Sequence, residues 1–224
     1  MQADMNRCSI IVPALNEAGG IVACLTALET MRARGGEVIV VDGGSRDQTR
    51  FLAAPLADLV LAASRGRASQ MNAGAAAARG DVLCFVHADT VLSAEAIAQL
   101  QEVRRWGRFE VRFSGRSGLL RLVAWMMNRR SCLSGIATGD QCMVMTRECF
   151  DRVGGFPELP LMEDVEISKR LRRIARPHCF RASVTTDSRR WDSRGTVRTI
   201  LLMWWLRLAY FLGVSPQRLA RWYR

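Results

Sequence analysis

The chain has 224 residues, enough for one sizeable domain with a small appendage. With 49% apolar and 24% charged residues it is not a disordered chain, and its formal charge of +11, carried almost wholly by arginine with Lys169 the single lysine, favours anionic partners without choosing among them. The seven cysteines are scattered with no Cys-x-x-Cys pair and there are only two histidines, so no structural zinc site is expected and the cysteines read as small apolar residues of a reduced protein.

Residues 1–7 are too short and polar for a secretory signal. Residues 9–12 read as an apolar strand that stops at Pro13, which lacks a donor. A helix over 17–34 follows, with Ile21, Leu25 and Leu28 on one face, and Gly35-Gly36 ends it. A strand at 37–41 runs into the turn Asp42-Gly43-Gly44-Ser45; a short helix at 47–54, a strand at 59–62, an alanine-rich helix at 67–78 and a strand at 82–86 come next. This alternation predicts a parallel sheet covered by helices on both faces. The strand at 82–86 breaks abruptly into His87-Ala88-Asp89-Thr90. Ligands collect at that edge of open α/β sheets, so Asp89 has two readings: a carboxylate for a metal ion, or a cap for the next helix.

Beyond residue 105 the pattern loosens. Residues 108–113 alternate as an antiparallel strand, 119–127 are apolar apart from Arg121, 141–145 are strand-like, and 163–174 fit a helix with Ile167, Leu171 and Ile174 inward. A long apolar helix is expected at 196–212 and a short basic one from Ser215-Pro216. The apolar stretch 200–214 is shorter than the roughly 20 residues of a membrane span and is interrupted by Arg207, so no transmembrane helix is expected. Trp204, Trp205, Tyr210, Trp222 and Tyr223 lie among arginines, which suits a helix in a membrane interface, and equally one docked on the domain or on a second copy.

Four segments carry a family resemblance: VPALNE at 12–17, VVDGGSRDQT at 40–49, GRASQMNAGAAAARGDVLCFVHADT at 66–90 and PLMEDVEISKRLRR at 160–173. Over about residues 8–174 the chain resembles family 2 glycosyltransferases of the GT-A fold, and is similar to a bacterial subgroup with HADT, GDQ and MEDVE segments. The resemblance implies an α/β, Rossmann-like, mostly parallel sheet flanked by helices at residues 1–190, and an apolar, basic, amphipathic helical tail at 191–224. It implies metal-dependent, inverting transfer of a sugar from a nucleotide-diphosphate sugar, UDP-type, to an acceptor left open, lipid-linked acceptors included.

The resemblance also implies roles residue by residue. Pro13, Ala14 and Glu17 form the first donor loop, Asp42 meets the base, and Arg67 reaches the diphosphate. The family's Asp-x-Asp metal motif is His87-Ala88-Asp89 here, so Asp89 is the metal carboxylate for Mn2+ or Mg2+, and His87 contacts ribose or diphosphate or joins the metal. Asp164 is the base that deprotonates the acceptor, with Glu163 in support. Asp140, Gln141 and Trp191 lie on the acceptor side, and Arg190 neutralises the leaving diphosphate. Each has a plainer reading: an Asx turn for Asp42, first-turn helix acids for Glu17, Glu163 and Asp164, a solvated arginine for Arg67. Two other functions compete: a nucleotidyltransferase-like nucleotide-sugar enzyme, and a non-catalytic nucleotide- or lipid-binding module. No Gly-x-Gly-x-x-Gly follows the first strand, which speaks against a dinucleotide oxidoreductase, and nucleic acid is not an expected partner. The expected location is cytoplasmic, peripheral on the inner face of the cell membrane, with the tail on its anionic surface.

Overall fold

A computed structural model of the chain describes residues 8–189, 191 and 195–223. Eight strands form one mixed sheet in the order β3-β2-β1-β4-β7-β6-β8-β5. They are β1 (Cys8–Ala14), β2 (Glu37–Asp42), β3 (Leu59–Ala62), β4 (Val82–Phe85), β5 (Thr90–Leu92), β6 (Trp106–Phe113), β7 (Met143–Thr146) and β8 (His178–Thr186). The helices are α1 (Ile21–Thr26), α2 (Glu29–Arg32), α3 (Thr49–Ala53), α4 (Arg67–Ala77), α5 (Ala94–Gln99), α6 (Gly118–Ser134), α7 (Arg147–Arg152), α8 (Glu163–Arg172), α9 (Thr196–Phe211) and α10 (Pro216–Tyr223).

The parallel expectation holds for β1 to β4. Past β4 the sheet is mixed: β7 enters antiparallel, β6 antiparallel to it, β8 parallel to β6, and β5 antiparallel to β8. The expected helix over 17–34 is two short ones, starting only at Ile21 and interrupted at residues 27–28. β5, α5, α7 and β8 were not anticipated from the sequence.

Alternate residues of the central strands feed two apolar layers, as a pleated sheet covered on both faces requires. Ile10, Val12, Val38 and Val40 face Ile21, Leu25 and Leu28, while Ile11, Ile39 and Val41 face Ala68, Met71 and Ala75 of α4. Gly74 lets α4 lie close to the sheet: a Cβ there would fall 2.4 Å from Ile11 Cγ2 and 3.0 Å from Val41 Cγ2. Gly74→Ala is therefore expected to destabilise the fold by about 1–3 kcal/mol through overpacking, although alanine favours helix. Urea unfolding checks this as a lowered midpoint at unchanged slope; an unchanged or raised midpoint would show slack between α4 and β1.

The second half hangs on α6, which is stitched to β6. The Asn128 amide accepts from Val111 N at 3.0 Å and donates to Val111 O at 3.1 Å. Arg108, fully buried on β6, donates to Asn128 O at 2.6 Å and contacts Cys132. Cys132 is disulfide-bonded to Cys179 of β8, which corrects the expectation that all cysteines are free; the other five are buried thiols. The linkage brings together two segments 47 residues apart, a proximity that cysteine spacing does not reveal.

The tail folds back onto α8. Leu206, Ala209 and Leu219 are buried with Met162, and the Tyr210 hydroxyl donates to Glu166 at 3.2 Å. Its opposite side leaves Trp204, Trp205, Phe211, Leu212 and Trp222 exposed. No helix among the described residues is long and apolar enough to cross a membrane.

Candidate active site

A cleft of about 910 Å³ opens where β1 and β4 end and is closed on the far side by α6, α8 and α9. Of the residues singled out from the sequence, Pro13, Ala14, Glu17, Arg67, His87, Asp89, Asp140, Glu163, Asp164 and Trp191 all line it. They come from segments far apart in the chain, so their meeting is a property of the fold.

The first wall is two interlocked loops. Asn16 Oδ1 accepts from Arg46 N at 2.8 Å and the Asn16 backbone N donates to Ser45 Oγ at 2.9 Å. Glu17 N donates to Thr49 Oγ1 at 2.8 Å and Ala18 N to Asp47 at 3.1 Å. Asp42 is buried and its carboxylate turns onto its own loop, accepting from Gly44 N and Ser45 N at 3.0 Å. This is the Asx-turn geometry, and it fixes the loop beside the cleft. Gln70, which sequence reasoning passed over, is buried on α4 and bridges the ends of two strands, donating to Ala14 O at 2.8 Å and Val41 O at 2.7 Å. Its only signal is a large polar side chain on the inner face of an alanine-rich helix.

The second wall joins three motifs. Gly139 packs so closely on His87 that a Cβ would lie 2.3 Å from Nε2, and Gly139 N donates to Asp164 Oδ2 at 3.2 Å. The His87 Nδ1 atom lies 3.4 Å from Asp140 Oδ1. Arg67, at the start of α4, reaches Glu163 at 3.5 Å across the cleft. Desolvation works to lower the guanidinium pKa of this partly exposed side chain, but Glu163, then Tyr223, Asp140 and Asp164, raise it, so it stays charged. Burial, then the neighbouring Asp164 charge, push the Glu163 pKa above the ordinary carboxylate range, with Arg67 pulling against them. Met162, just before this acid pair, has φ 71°, and Cys142, just after Gly139-Asp140-Gln141, has φ 46°. With Asn16, the three non-glycine residues of positive φ among the described residues all adjoin the cleft segments, where backbone strain commonly gathers.

Three expectations meet a different placement, the first being Asp42, which does not line the cleft and turns its carboxylate onto its own loop. Gln141 is fully buried and its amide donates to Ser131 Oγ at 2.9 Å and Asn128 at 3.2 Å, so its side chain anchors α6 and has no place on the cleft wall. Arg190 lies outside the described residues. Its neighbour Arg189, which the sequence does not distinguish, enters the cleft: it pairs with Glu17 and lies 3.8 Å from Asp89 Oδ2 and 3.9 Å from Asp187. Trp191 stacks edge-on against Phe113 with ring centroids 5.1 Å apart.

Among the described residues no group of three or more His, Cys, Asp and Glu side chains is gathered for a metal ion. Asp89 presents one carboxylate, steadied by the Thr90 hydroxyl at 3.3 Å and the Thr186 hydroxyl at 3.5 Å, and His87 is turned toward Asp140. That donor set fits a cation that draws most of its oxygens from a bound diphosphate.

Residues 9–111 match the family model described as "Glycosyl transferase family 2". No curated protein matches the chain. Among solved structures, the chain is similar to Staphylococcus aureus TarS 1-349 in complex with UDP-GlcNAc, at 21% identity and TM-score 0.62, covering 81% of this chain and 58% of that one. It is similar to the mannosyltransferase PcManGT of Pyrobaculum calidifontis in complex with GDP-Man and Mn2+, at 22% identity and TM-score 0.58, covering 80% and 56%. It is also similar to glucosyl-3-phosphoglycerate synthase of Mycobacterium tuberculosis in complex with Mn2+, UDP and glucosyl-3-phosphoglycerate, at 17% identity and TM-score 0.58, covering 80% and 70%. The fold is thus that of the GT-A glycosyltransferases, and the chain spans less than two thirds of the first two relatives.

Proposed function

We propose, for a chain whose residues 9–111 match glycosyl transferase family 2, that it transfers a sugar from a nucleotide-diphosphate sugar to an acceptor held on the helical side of the cleft. The observation that carries the reading is the convergence of Glu17, Arg67, Asp89, Asp164 and Arg189 on one cleft at the carboxyl ends of β1 and β4. The relatives' UDP-GlcNAc, UDP and GDP-Man complexes support a nucleotide-sugar donor, and the expected nucleotide is UDP. Arg67 and Arg189 face the donor diphosphate, which guanidinium groups grip with paired hydrogen bonds. Asp89 would hold a divalent ion, Mn2+ or Mg2+, as the relatives' Mn2+ complexes suggest; the ion supplies a Lewis acid to the leaving diphosphate. Asp164 is the base on the opposite wall: one carboxylate removing the acceptor proton, with direct displacement at the anomeric carbon, inverts the configuration.

The test is thermal stabilisation by UDP, GDP and CDP with and without Mn2+, because a ligand that binds only the native state raises its melting temperature. UDP is expected to stabilise, and Mn2+ to enlarge the shift. No shift with any nucleotide would overturn a donor-dependent enzyme in favour of a lipid-binding module.

The exposed tryptophans and apolar residues of α9 and α10, beside Arg218 and Arg221, support peripheral attachment to an anionic membrane surface. Co-sedimentation with phosphatidylglycerol-containing vesicles is expected at low salt, and Trp205→Glu with Phe211→Glu should abolish it. Equal recovery in the supernatant with and without vesicles would leave those residues to a protein contact.

A further inference from the structure

Arg108 is a buried cation with no paired carboxylate among the described residues. Its Nη1 donates to Phe109 O at 3.3 Å, its Nη2 donates to Asn128 O at 2.6 Å and meets Cys132 Sγ, and its Nε is buried with no partner. A buried charge left unpaired is costly, and a disulfide sulfur is only a weak acceptor. A thiolate in the same place would be a full counter-charge. Burial lowers the Arg108 pKa and Glu110 raises it; a guanidinium remains charged throughout. The other titratable groups around the disulfide are Glu110 on β6, Arg130 on α6, Arg172 of α8 against Gly135, and His178 beside Cys179. Only Glu110 among them opposes an anion. Cys132 and Cys179 are partly exposed, whereas Cys8, Cys24, Cys84, Cys142 and Cys149 are buried. Burial, then the Asp89 charge, push the Cys24 thiol up to about 12, and burial raises Cys84 and Cys142 as well. The cysteines therefore divide into inert buried thiols and one reachable pair beside a cation, the setting in which sulfur is reactive.

We propose that Cys132–Cys179 is a redox-active pair that a dithiol reduces, that Arg108 holds the released Cys132 as a thiolate, and that the redox state decides whether α6 is covalently fixed to β8. A thiolate of the dithiol attacks Cys179 Sγ. The S–S bond breaks and its electron pair leaves on Cys132 Sγ, which faces Arg108; the stabilised thiolate is the better leaving group, so attack is directed to Cys179. The dithiol's second thiolate then attacks its own sulfur in the mixed disulfide, and Cys179 departs and takes a proton. Two electrons have passed to the protein, the dithiol has become a disulfide, and one of its two protons goes to solvent. With the bond open, the end of α6 rests on β6 through Asn128 and Arg108 alone. Val123, Met126, Met127 and Arg130 of α6 line the cleft, so the bond staples one of its walls. The inference depends on neither the donor nor the acceptor.

The experiment equilibrates the full chain with mixtures of reduced and oxidised dithiothreitol, quenches with acid, alkylates, and follows Cys132 and Cys179 by peptide mass spectrometry. Half-reduction of the parent is expected at a reduced-to-oxidised ratio at least about tenfold lower than that of Arg108→Met, the scale of one charge-assisted contact. Arg108→Lys keeps the charge and should stay near the parent. Melting temperatures report whether the variants fold, and a second measurement needs no variant. In the reduced native parent, alkylation of Cys132 by iodoacetamide should be half-maximal at least about one pH unit below the ~8.5 of an ordinary thiol. Hydrogen exchange over residues 126–134 should quicken on reduction. The pairing is overturned if Cys132 and Cys179 both alkylate in the air-equilibrated chain. The role of Arg108 is overturned by an unchanged ratio in Arg108→Met, by Arg108→Lys behaving as Arg108→Met does, or by a parent profile centred at pH ~8.5 or above. Unchanged exchange on reduction would overturn the coupling to the cleft wall.

Discussion

Asp164→Asn is expected to lower turnover about a thousandfold, within the range that general bases contribute, while UDP stabilises the variant as it does the parent. The substitution keeps the shape of the side chain. An amide oxygen can still accept from Gly139 N or from Val165 N, the two bonds that orient Asp164. What disappears is the capacity to take a proton. Glu163 does not replace it: it is 4% exposed, pinned by Arg67 at 3.5 Å, and its pKa is raised by burial and by Asp164. Asp164 is the less buried of the pair and is the carboxylate proposed to meet the acceptor. Single-turnover assays with the donor sugar labelled separate the chemical step from release of nucleotide. Turnover in Asp164→Asn within a few-fold of the parent would remove the residue from the base role and leave the acid pair a structural one at the head of α8.

How much of this was visible in the sequence depends on how each element announces itself. The central strands are unbroken apolar runs that end in a polar cluster, so β1, β2 and β4 and the acids beyond them were legible. β8 carries its inward face on Phe180, Ala182, Val184 and Thr186 with Arg181 between, and the small and polar members hide the alternation. α5 is short and rich in alanine, and the Ser93 cap that accepts from Ala96 N at 3.1 Å resembles any loop serine. The antiparallel strand expected at 108–113 is present as β6, antiparallel to β7, but the antiparallel entry of β7 beside β4 pairs segments about 60 residues apart and leaves no local pattern. In the cleft, Asp89, Asp164 and Arg67 were recognisable from motif context, whereas choosing Arg189 over Arg190 needed coordinates: adjacent arginines at the end of a strand carry no periodicity. Gln141 shows the opposite failure. It sits in a motif, yet its buried amide spends its hydrogen bonds on α6.

Asp89→Ala is expected to abolish the Mn2+ increment in UDP stabilisation and to lower turnover by roughly a hundred- to a thousandfold, the scale on which one electrostatic contact to a developing charge acts. The reasoning turns on Arg189. In this structure its guanidinium lies between Glu17 and Asp89, holding a positive charge beside the carboxylate that a divalent ion would use. In the proposed reaction a cation and the arginine would compete for Asp89, and a diphosphate would offer oxygens to both. Without Asp89, Arg189 keeps Glu17 as partner and can still meet the diphosphate, so nucleotide binding weakens but survives. The metal loses its protein carboxylate and with it any influence on the melting temperature. Thermal shifts measured over a Mn2+ series at fixed UDP read this directly: a flat series in Asp89→Ala against a rising one in the parent is the expected pair. A series that rises equally in both would mean that the ion rides on the diphosphate alone, and the single aspartate of His87-Ala88-Asp89 would then serve to orient Arg189, the residue carrying the positive charge that the chemistry uses.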